Sequence, residues 1–208
     1  MNNKTNIEFP PVSREYPLIL ASASPRRKRL LQQIGLPFNS MASNIHEEKT
    51  EGEPANVAQV LAEKKAMAVH SMYDNAWVLG ADTIVVLGEM ILGKPKDPGE
   101  ARSMLNLLSD REHKVITAFS LIYPTGEVAH SEYAGTLVNI KTLSDSEIAA
   151  YIATGEPFGK AGAYAIQGIG SFMVKGITGS YSNVVGLPLC ALIESLLAVG
   201  ALNRFPHV

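Results

Sequence analysis

Three helix-start signals, separated by apolar strand-like segments, restrict this sequence to folds that alternate strands and helices. Each signal pairs a capping side chain with a proline or a glutamate in the first turn: Ser24 with Pro25, Asp97 with Pro98 and Glu100, and Ser144 with Glu147. The apolar segments lie at 18–20, 76–87, 113–123 and 127–141. This alternation predicts an α/β protein whose sheet mixes parallel and antiparallel strand pairs.

The chain divides into a short tail and one domain. Its 208 residues, 46% of them apolar, fit a single globular domain. Residues 1–17 are polar and contain three prolines, which predicts a loosely docked N-terminal tail before a domain at 18–208. The single cysteine, Cys190, lies in an apolar C-terminal helix, where we expect it to be buried in the core. It cannot form an internal disulfide.

Charge and hydropathy exclude two classes of partner. The net charge of −2 argues against binding to a nucleic acid polymer, which usually needs a basic face. No apolar run reaches about 18 residues, so we expect no membrane-spanning helix. The N-terminus lacks the apolar stretch of a secretory signal, and we therefore expect a cytoplasmic protein without a membrane partner.

The first candidate site is a turn of small residues that leads into a basic helix start. Residues 21–24 follow the first apolar segment, and Arg26 and Arg27 lie in the first helical turn. Free backbone N–H groups and the helix dipole favour an anion at such a position. A solvated basic helix start is the alternative interpretation.

Asp82 is the second candidate because it interrupts an otherwise apolar strand. A buried aspartate is costly unless it is paired or bound to a metal. Gly80 and Ala81 leave room beside it. The pattern indicates a metal ligand or a general base; the alternative is a strand-end aspartate that bonds to a neighbouring turn.

Two loops complete the candidates. Lys94 lies between a glycine and a proline, and a glycine-rich stretch at 155–168 carries Lys160 and Gln167. A glutamine amide both donates and accepts, as reading the edge of a base requires. Solvated or purely structural loops are the alternatives. The sequence has no GxxxxGK[ST] motif, which disfavours a P-loop nucleotidase.

Five segments together resemble the Maf family of nucleoside triphosphate pyrophosphatases. They are LASASPRR at 20–27, GADT at 80–83, LGKP at 92–95, KAGAYAIQG at 160–168 and GSYSNVVGLP at 179–188. The resemblance spans about residues 18–200. It implies a curved mixed β-sheet flanked by helices, with two lobes around a deep cleft, similar to inosine-triphosphate pyrophosphatases.

The resemblance also implies roles for individual residues. Asp82 matches the family's proton acceptor. Arg26, Thr83 and Gln167 match the positions that separate the substrate subfamilies. The positions expected to line the cleft are Ser22, Arg27, Glu47, Lys65 and Lys94, and Lys160 lies in the matching loop. A divalent cation (Mg²⁺, Mn²⁺ or Co²⁺) is expected on Asp82 and Glu47.

The three specificity positions favour one subfamily. Arginine, threonine and glutamine at 26, 83 and 167 resemble the group that acts on dTTP, UTP and modified pyrimidine nucleotides, a house-cleaning activity. The expected reaction is metal-dependent hydrolysis to the monophosphate and pyrophosphate. The alternatives are a 7-methyl-GTP-type preference, or a non-catalytic nucleotide-binding regulator of cell division. The family also makes a homodimer plausible.

Overall fold

A seven-stranded mixed sheet forms the centre of the molecule. The computed structural model describes residues 9–45 and 52–206. The strands are β1 (Leu18–Ala21), β2 (Asn39–Met41), β3 (Trp77–Leu87), β4 (Met90–Leu92), β5 (Glu112–Ile122), β6 (Val128–Ile140) and β7 (Val174–Thr178). Their order is β2-β1-β3-β5-β6-β7, with β4 paired to the end of β3. Strands β1–β2 and β1–β3 run parallel and the remaining pairs are antiparallel, which confirms the predicted mixed α/β sheet.

In the described ranges, six helices flank the sheet: α1 (Pro25–Gln33), α2 (Pro54–His70), α3 (Pro98–Leu108), α4 (Asp145–Ala153), α5 (Tyr181–Val185) and α6 (Leu189–Ala198). Two short 3-10 turns lie at Ala161–Ala163 and Ile169–Met173. All three predicted helix starts are confirmed. The hydroxyl of Ser24 and the carboxylate of Asp97 accept N–H groups of the first turn, and Ser144 with Glu147 forms a complete capping box.

Helix α2 lies unusually close to the sheet at Gly80. A Cβ atom built on Gly80 would lie 2.1 Å from the carbonyl oxygen of Ala62 and 2.8 Å from the Cβ of Ala66. Only a glycine therefore permits this helix–strand distance. Residues 80 and 82 point to the same face of the strand, so the close approach brings α2 over Asp82.

The opposite face of the sheet carries two core clusters. Helices α1 and α6 cover Leu18, Leu20, Trp77 and Leu79 at one end. Helices α3 and α4 cover the other end, around Val85 and Val115. The prediction that Cys190 is buried is wrong: it lies on the solvent face of α6, because the inward positions of this helix are taken by Leu192 and Leu196.

Residues 9–17 pack more closely than their polar composition predicts. The indole N–H of Trp77 donates to the carbonyl of Pro10 at 2.9 Å, and Phe9 lies 4.3 Å from Tyr123 between ring centres. Val12 donates to the carbonyl of Ala201. Aromatic contacts and backbone hydrogen bonds thus hold this part of the tail on the core. In the described part of the chain, no helix is long and apolar enough to span a bilayer.

Candidate active site

One cavity of about 440 Å³ brings the predicted residues together. All nine candidates within the described residues line it: Ser22, Arg26, Arg27, Lys65, Asp82, Thr83, Lys94, Lys160 and Gln167. Glu47 falls outside the described residues. The pairing of β1 with β3 explains part of this convergence. Leu20 lies opposite Leu79, so Ser22, just after the end of β1, lies near Gly80–Asp82.

Asp82 and Lys65 form a buried ion pair in the cavity wall. Lys65 Nζ donates to Asp82 Oδ1 at 2.5 Å, and each residue is 8% exposed. Lys65 comes from α2, which reaches the carboxylate because of Gly80. Pairing compensates part of the cost of burying both charges. Within residues 9–45 and 52–206, Asp82 Oδ2 makes no hydrogen bond, so this oxygen can accept a further proton or ligand.

Arg27 is fixed by its whole guanidinium group. Nε donates to the carbonyl of Gly186 at 2.8 Å, one terminal nitrogen donates to Thr83 Oγ1 at 3.0 Å, and the other to Ser22 Oγ at 3.3 Å. The three partners lie in three separate segments of the chain: just after β1, within β3 and just after α5. The planar fork of the guanidinium is therefore held in a single orientation at the cavity wall.

A row of buried polar groups continues behind Thr83. Thr117 donates to the carbonyl of Asn183 at 2.9 Å, so the hydroxyl of Thr83 must donate to Thr117 Oγ1, 2.9 Å away. The Asn183 amide donates to Val115 O and to Thr136 Oγ1. Asn183 is fully buried. The GSYSNVVGLP segment thus supports Arg27 through Thr83. The hydroxyl protons of Thr83 and Thr117 are both used in these hydrogen bonds.

Arg26 and Lys160 place two more positive charges on the cavity. Burial lowers the pKa of Arg26. The pKa of Lys160 is lowered by burial and then by repulsion from Arg26, against a smaller opposing effect of Glu156. An anion bound between two cations that repel each other lowers the electrostatic energy of both. Counting Lys94, five cationic side chains and one carboxylate line the described part of the cavity.

Backbone and side-chain bonds hold the segment that carries Lys160 and Gln167. Gly162 donates its N–H to the carbonyl of Gly93, which joins this segment to the LGKP loop. Tyr164 lines the cavity, and its hydroxyl lies 2.8 Å from Nε2 of the buried His113. Burial lowers the pKa of His113 to about 4, so this contact is made by a neutral imidazole at neutral pH.

The donor set suits a divalent cation only together with a substrate. No cluster of three or more His, Cys, Asp or Glu side chains occurs in the described part of the chain. Mg²⁺, however, is commonly held by one or two carboxylates plus phosphate oxygens of the substrate. The carboxylate of Asp82, whose Oδ2 makes no hydrogen bond to the residues that the structure describes, meets that requirement. The residues present therefore fit a metal that arrives with a phosphate ligand.

The sequence reasoning missed several lining residues. Ser43 and Asn44 follow β2, and because β2 runs parallel to β1 with Met41 opposite Ala21, their positions match those of Ala23 and Ser24 after β1. Ligands bind at the carboxyl ends of parallel strands. The small polar residues after 39–41 were the signal, but a three-residue exposed strand leaves almost no hydrophobic pattern.

Comparison with known proteins identifies the family. The family model described as "Maf-like protein" matches residues 17–199 of the chain. The chain belongs to the Maf family. Among relatives of this Maf chain is a dTTP/UTP pyrophosphatase of Citrifermentans bemidjiense, 49% identical over 188 residues that cover 90% of this chain and 97% of the relative. A dTTP/UTP pyrophosphatase of Syntrophus aciditrophicus is 45% identical, covering 89% and 91%.

A solved structure is also similar to this Maf chain. It is a nucleoside-triphosphatase, dITP/XTP pyrophosphatase, from Mycobacterium abscessus, with 13% identity and a TM-score of 0.42 over 86% of this chain and 92% of that one. A TM-score of this size does not establish a common fold. The two-lobed, inosine-triphosphate-pyrophosphatase-like arrangement around a cleft therefore stays a prediction.

Proposed function

We propose that this chain hydrolyses dTTP and UTP, or modified pyrimidine nucleoside triphosphates, to the monophosphate and pyrophosphate. Relatives of 45–49% identity that are named dTTP/UTP pyrophosphatase confirm that the chain is an enzyme that hydrolyses nucleoside triphosphates. The observation that carries the finer proposal is the cavity itself. Among the described residues, its lining has five cations and the carboxylate of Asp82, whose Oδ2 makes no hydrogen bond to them, with Gln167 at its wall.

The cations bind and orient the triphosphate. Arg27 presents a fixed fork in the first turn of α1. Arg26 adds charge from the same turn, and Lys94 and Lys160 add charge from the loops. Such preorganised positive groups stabilise the charge that develops on the departing pyrophosphate. They also hold the reacting phosphorus in line with the attacking water.

Asp82 is the general base of the proposed reaction. Its Oδ2 accepts a proton from the water whose oxygen attacks the α-phosphorus, and the bond from that phosphorus to the bridging oxygen of pyrophosphate breaks. Lys65 holds Oδ1 at 2.5 Å and so fixes the direction of the carboxylate. The carboxylates of Asp82 and Glu47 would hold a divalent ion, which would supply charge neutralisation and polarise the water when bound.

The proposal includes the cellular setting. The enzyme works in the cytoplasm on free nucleotides, which it removes when they are modified, and it needs neither a nucleic acid polymer nor a membrane. A homodimer is part of the proposal through the family resemblance.

Pyrophosphate release from a panel of triphosphates tests this function. We expect release from dTTP and UTP with Mg²⁺, Mn²⁺ or Co²⁺ to exceed that from dATP and 7-methyl-GTP. Gln167→Glu removes the amide donor, so we expect about a tenfold loss of pyrimidine preference, as for one hydrogen bond of discrimination. Gln32→Glu, exposed on α1, is the control.

Three results of the panel contradict the proposal. Faster hydrolysis of 7-methyl-GTP would indicate the other subfamily. Nucleotide binding without pyrophosphate release under any of the three metals would indicate a regulator. An unchanged substrate profile in Gln167→Glu would remove the role of Gln167 in reading the base.

A further inference from the structure

The loop that carries Lys160 and Gln167 is closed at one carboxylate. Glu156 lies at the start of this loop, and its oxygens accept backbone N–H groups at the end. Oε1 accepts from Ile169 at 3.0 Å, and Oε2 accepts from Gly170 at 2.8 Å. The Glu156 carboxylate thus joins two points of the backbone that are 14 residues apart along the chain. Between these points lie the residues of this loop that line the cavity.

The backbone is shaped to receive this carboxylate. A Cβ atom on Gly168 would lie 1.9 Å from Glu156 Oε1, and one on Gly170 would lie 2.7 Å from the hydroxyl of Tyr151. No side chain larger than hydrogen fits at either position without movement. The two glycines are therefore needed where the loop returns to the carboxylate, and Gly168 directly follows Gln167.

Tyr151 extends the same contact into the middle of the loop. Its hydroxyl donates to Glu156 Oε2 at 2.8 Å and accepts the N–H of Ala165 at 3.2 Å. Ala165 lines the cavity two residues before Gln167. At the other side, Lys160 Nζ donates to the backbone carbonyl of Glu156. Every cavity residue of this loop therefore either bonds to Glu156 or Tyr151 or lies within two residues of one that does.

We propose that Glu156, together with Tyr151, is a positioning residue for nucleotide selection: it holds Lys160 and Gln167 at the cavity and so sets which base the enzyme accepts. The inference rests on the proposed function, which it deepens. Glu156 does not line the cavity in the described structure, so its effect reaches the substrate through the loop alone.

The surroundings keep Glu156 ionised. Burial raises the pKa of its carboxyl, but the hydrogen bonds from Gly170, Tyr151 and Ile169 and the charge of Lys160 outweigh this, and the net pKa is lowered. An ionised carboxylate accepts all three hydrogen bonds. An amide of the same size has one acceptor oxygen and would direct its NH₂ group at a backbone N–H.

Glu156→Gln is therefore the sharpest test, with Glu147→Gln as the matched control. Glu147 is a carboxylate on the adjacent helix α4 that accepts the Ser144 N–H and pairs with Lys141, and it lies away from the cavity. Both variants lose a carboxylate that closes a local turn. Only Glu156 is connected to the loop that lines the cavity.

The full-length variants are compared by steady-state pyrophosphate release from dTTP and from dATP, by thermal melting, and by hydrogen exchange of residues 160–168. For Glu156→Gln we expect KM for dTTP to rise about tenfold, kcat to change less than about threefold, and the dTTP preference in kcat/KM to fall about tenfold, as for one charged hydrogen bond lost. Exchange in 160–168 should accelerate. Glu147→Gln should lower the melting temperature only.

Equal losses of dTTP preference in the two variants would overturn the inference, as would an unchanged preference in Glu156→Gln despite faster exchange. Tyr151→Phe serves as a second variant, with a smaller shift in the same direction. If the wild-type chain releases no pyrophosphate, the proposed function fails; the preference is then measured as the ratio of Kd for dTTP and dATP. An unchanged ratio of Kd in Glu156→Gln would overturn the inference separately.

Discussion

The two sides of the cavity are built in different ways. The sheet wall consists of Arg27, Lys65, Asp82 and Thr83, and its bonds join different secondary-structure elements. Arg27 of α1 bonds to Thr83 of β3 and to Gly186 after α5, and Lys65 of α2 bonds to Asp82 of β3. The loop wall consists of Lys160, Tyr164 and Gln167. Part of its support comes from within the same segment of the chain, through Tyr151 and Glu156, which bond to backbone N–H groups 14 positions further on.

The two walls also differ in their proposed roles. In the proposed function, Arg27, Lys65 and Asp82 of the sheet wall act on the triphosphate, which every nucleotide shares, and their side chains are fixed by tertiary contacts. Gln167 of the loop wall is proposed to read the base, which differs between nucleotides. A loop closed on itself can change its sequence without disturbing the sheet. We therefore expect substitutions of Arg27, Lys65 and Asp82 in the sheet wall to reduce rate, and substitution of Gln167 in the loop wall to change selection.

The largest effect is expected from Asp82→Asn. Loss of a general base lowers rates by about 10²–10⁴-fold, so kcat for dTTP should fall into that range while nucleotide still binds. Asp110→Asn is the control, because Asp110 is an exposed aspartate paired with Lys175 at 3.4 Å. Pyrophosphate release measures the rate, and circular dichroism verifies folding. A folded Asp82→Asn enzyme within threefold of wild-type kcat would refute the role of Asp82 as the base.

Arg27→Lys is expected to have the next largest effect. A lysine cannot reproduce the planar fork that bonds Ser22, Thr83 and Gly186, and each charged hydrogen bond lost costs about 1.5–3 kcal/mol. We expect kcat/KM to fall about 10–100-fold with little change in the preference between dTTP and dATP. Arg29→Lys, exposed on the same helix, should behave as wild type. A change in preference larger than the change in rate would contradict the division between the two walls.

The smallest effect is expected from Lys160→Met and appears in the pH dependence. Burial and Arg26 lower the pKa of Lys160, so its positive charge, and the phosphate affinity that depends on it, is present at low pH and lost as pH rises through that lowered pKa. In wild type, Kd for dTTP should therefore rise at a pH below the ordinary lysine range. Lys160→Met should bind a few-fold more weakly at neutral pH.

Titration calorimetry between pH 7 and 10 gives these affinities, with Lys175→Met as the control. Lys175 is exposed at the sheet edge, and its loss should leave the wild-type profile in place. A Lys160→Met profile that keeps the full wild-type slope would show that another group controls the affinity.

Local signals in the sequence predicted most of the fold and the neighbourhood of the site. Helix starts at Ser24, Asp97 and Ser144 were predictable because a cap depends on residues three positions apart. The convergence of Asp82, Lys94 and Gln167 came from the family resemblance, since no local rule brings a strand and two loops together. Their roles in the reaction stay predictions.

What the sequence did not reveal depends on tertiary contacts. The resemblance predicted that Lys65 lines the cleft, but no local pattern predicted its ion pair with Asp82 of the neighbouring strand. The support of Thr83 by Thr117 and Asn183 comes from strand register. The exposure of Cys190 and the packing of Phe9 on Tyr123 likewise follow from which face of an element meets the core.

Gly80 has a consequence for any attempt to transfer this site to another scaffold. The hydrogen in place of a methyl group at this position fixes the distance between helix α2 and strand β3, and so the 2.5 Å contact between Lys65 and Asp82. Coulomb attraction weakens as that distance grows, whereas the cost of burying both charges remains. A design that copies every polar group of the cavity but keeps an alanine here would reproduce its composition and lose its electrostatics.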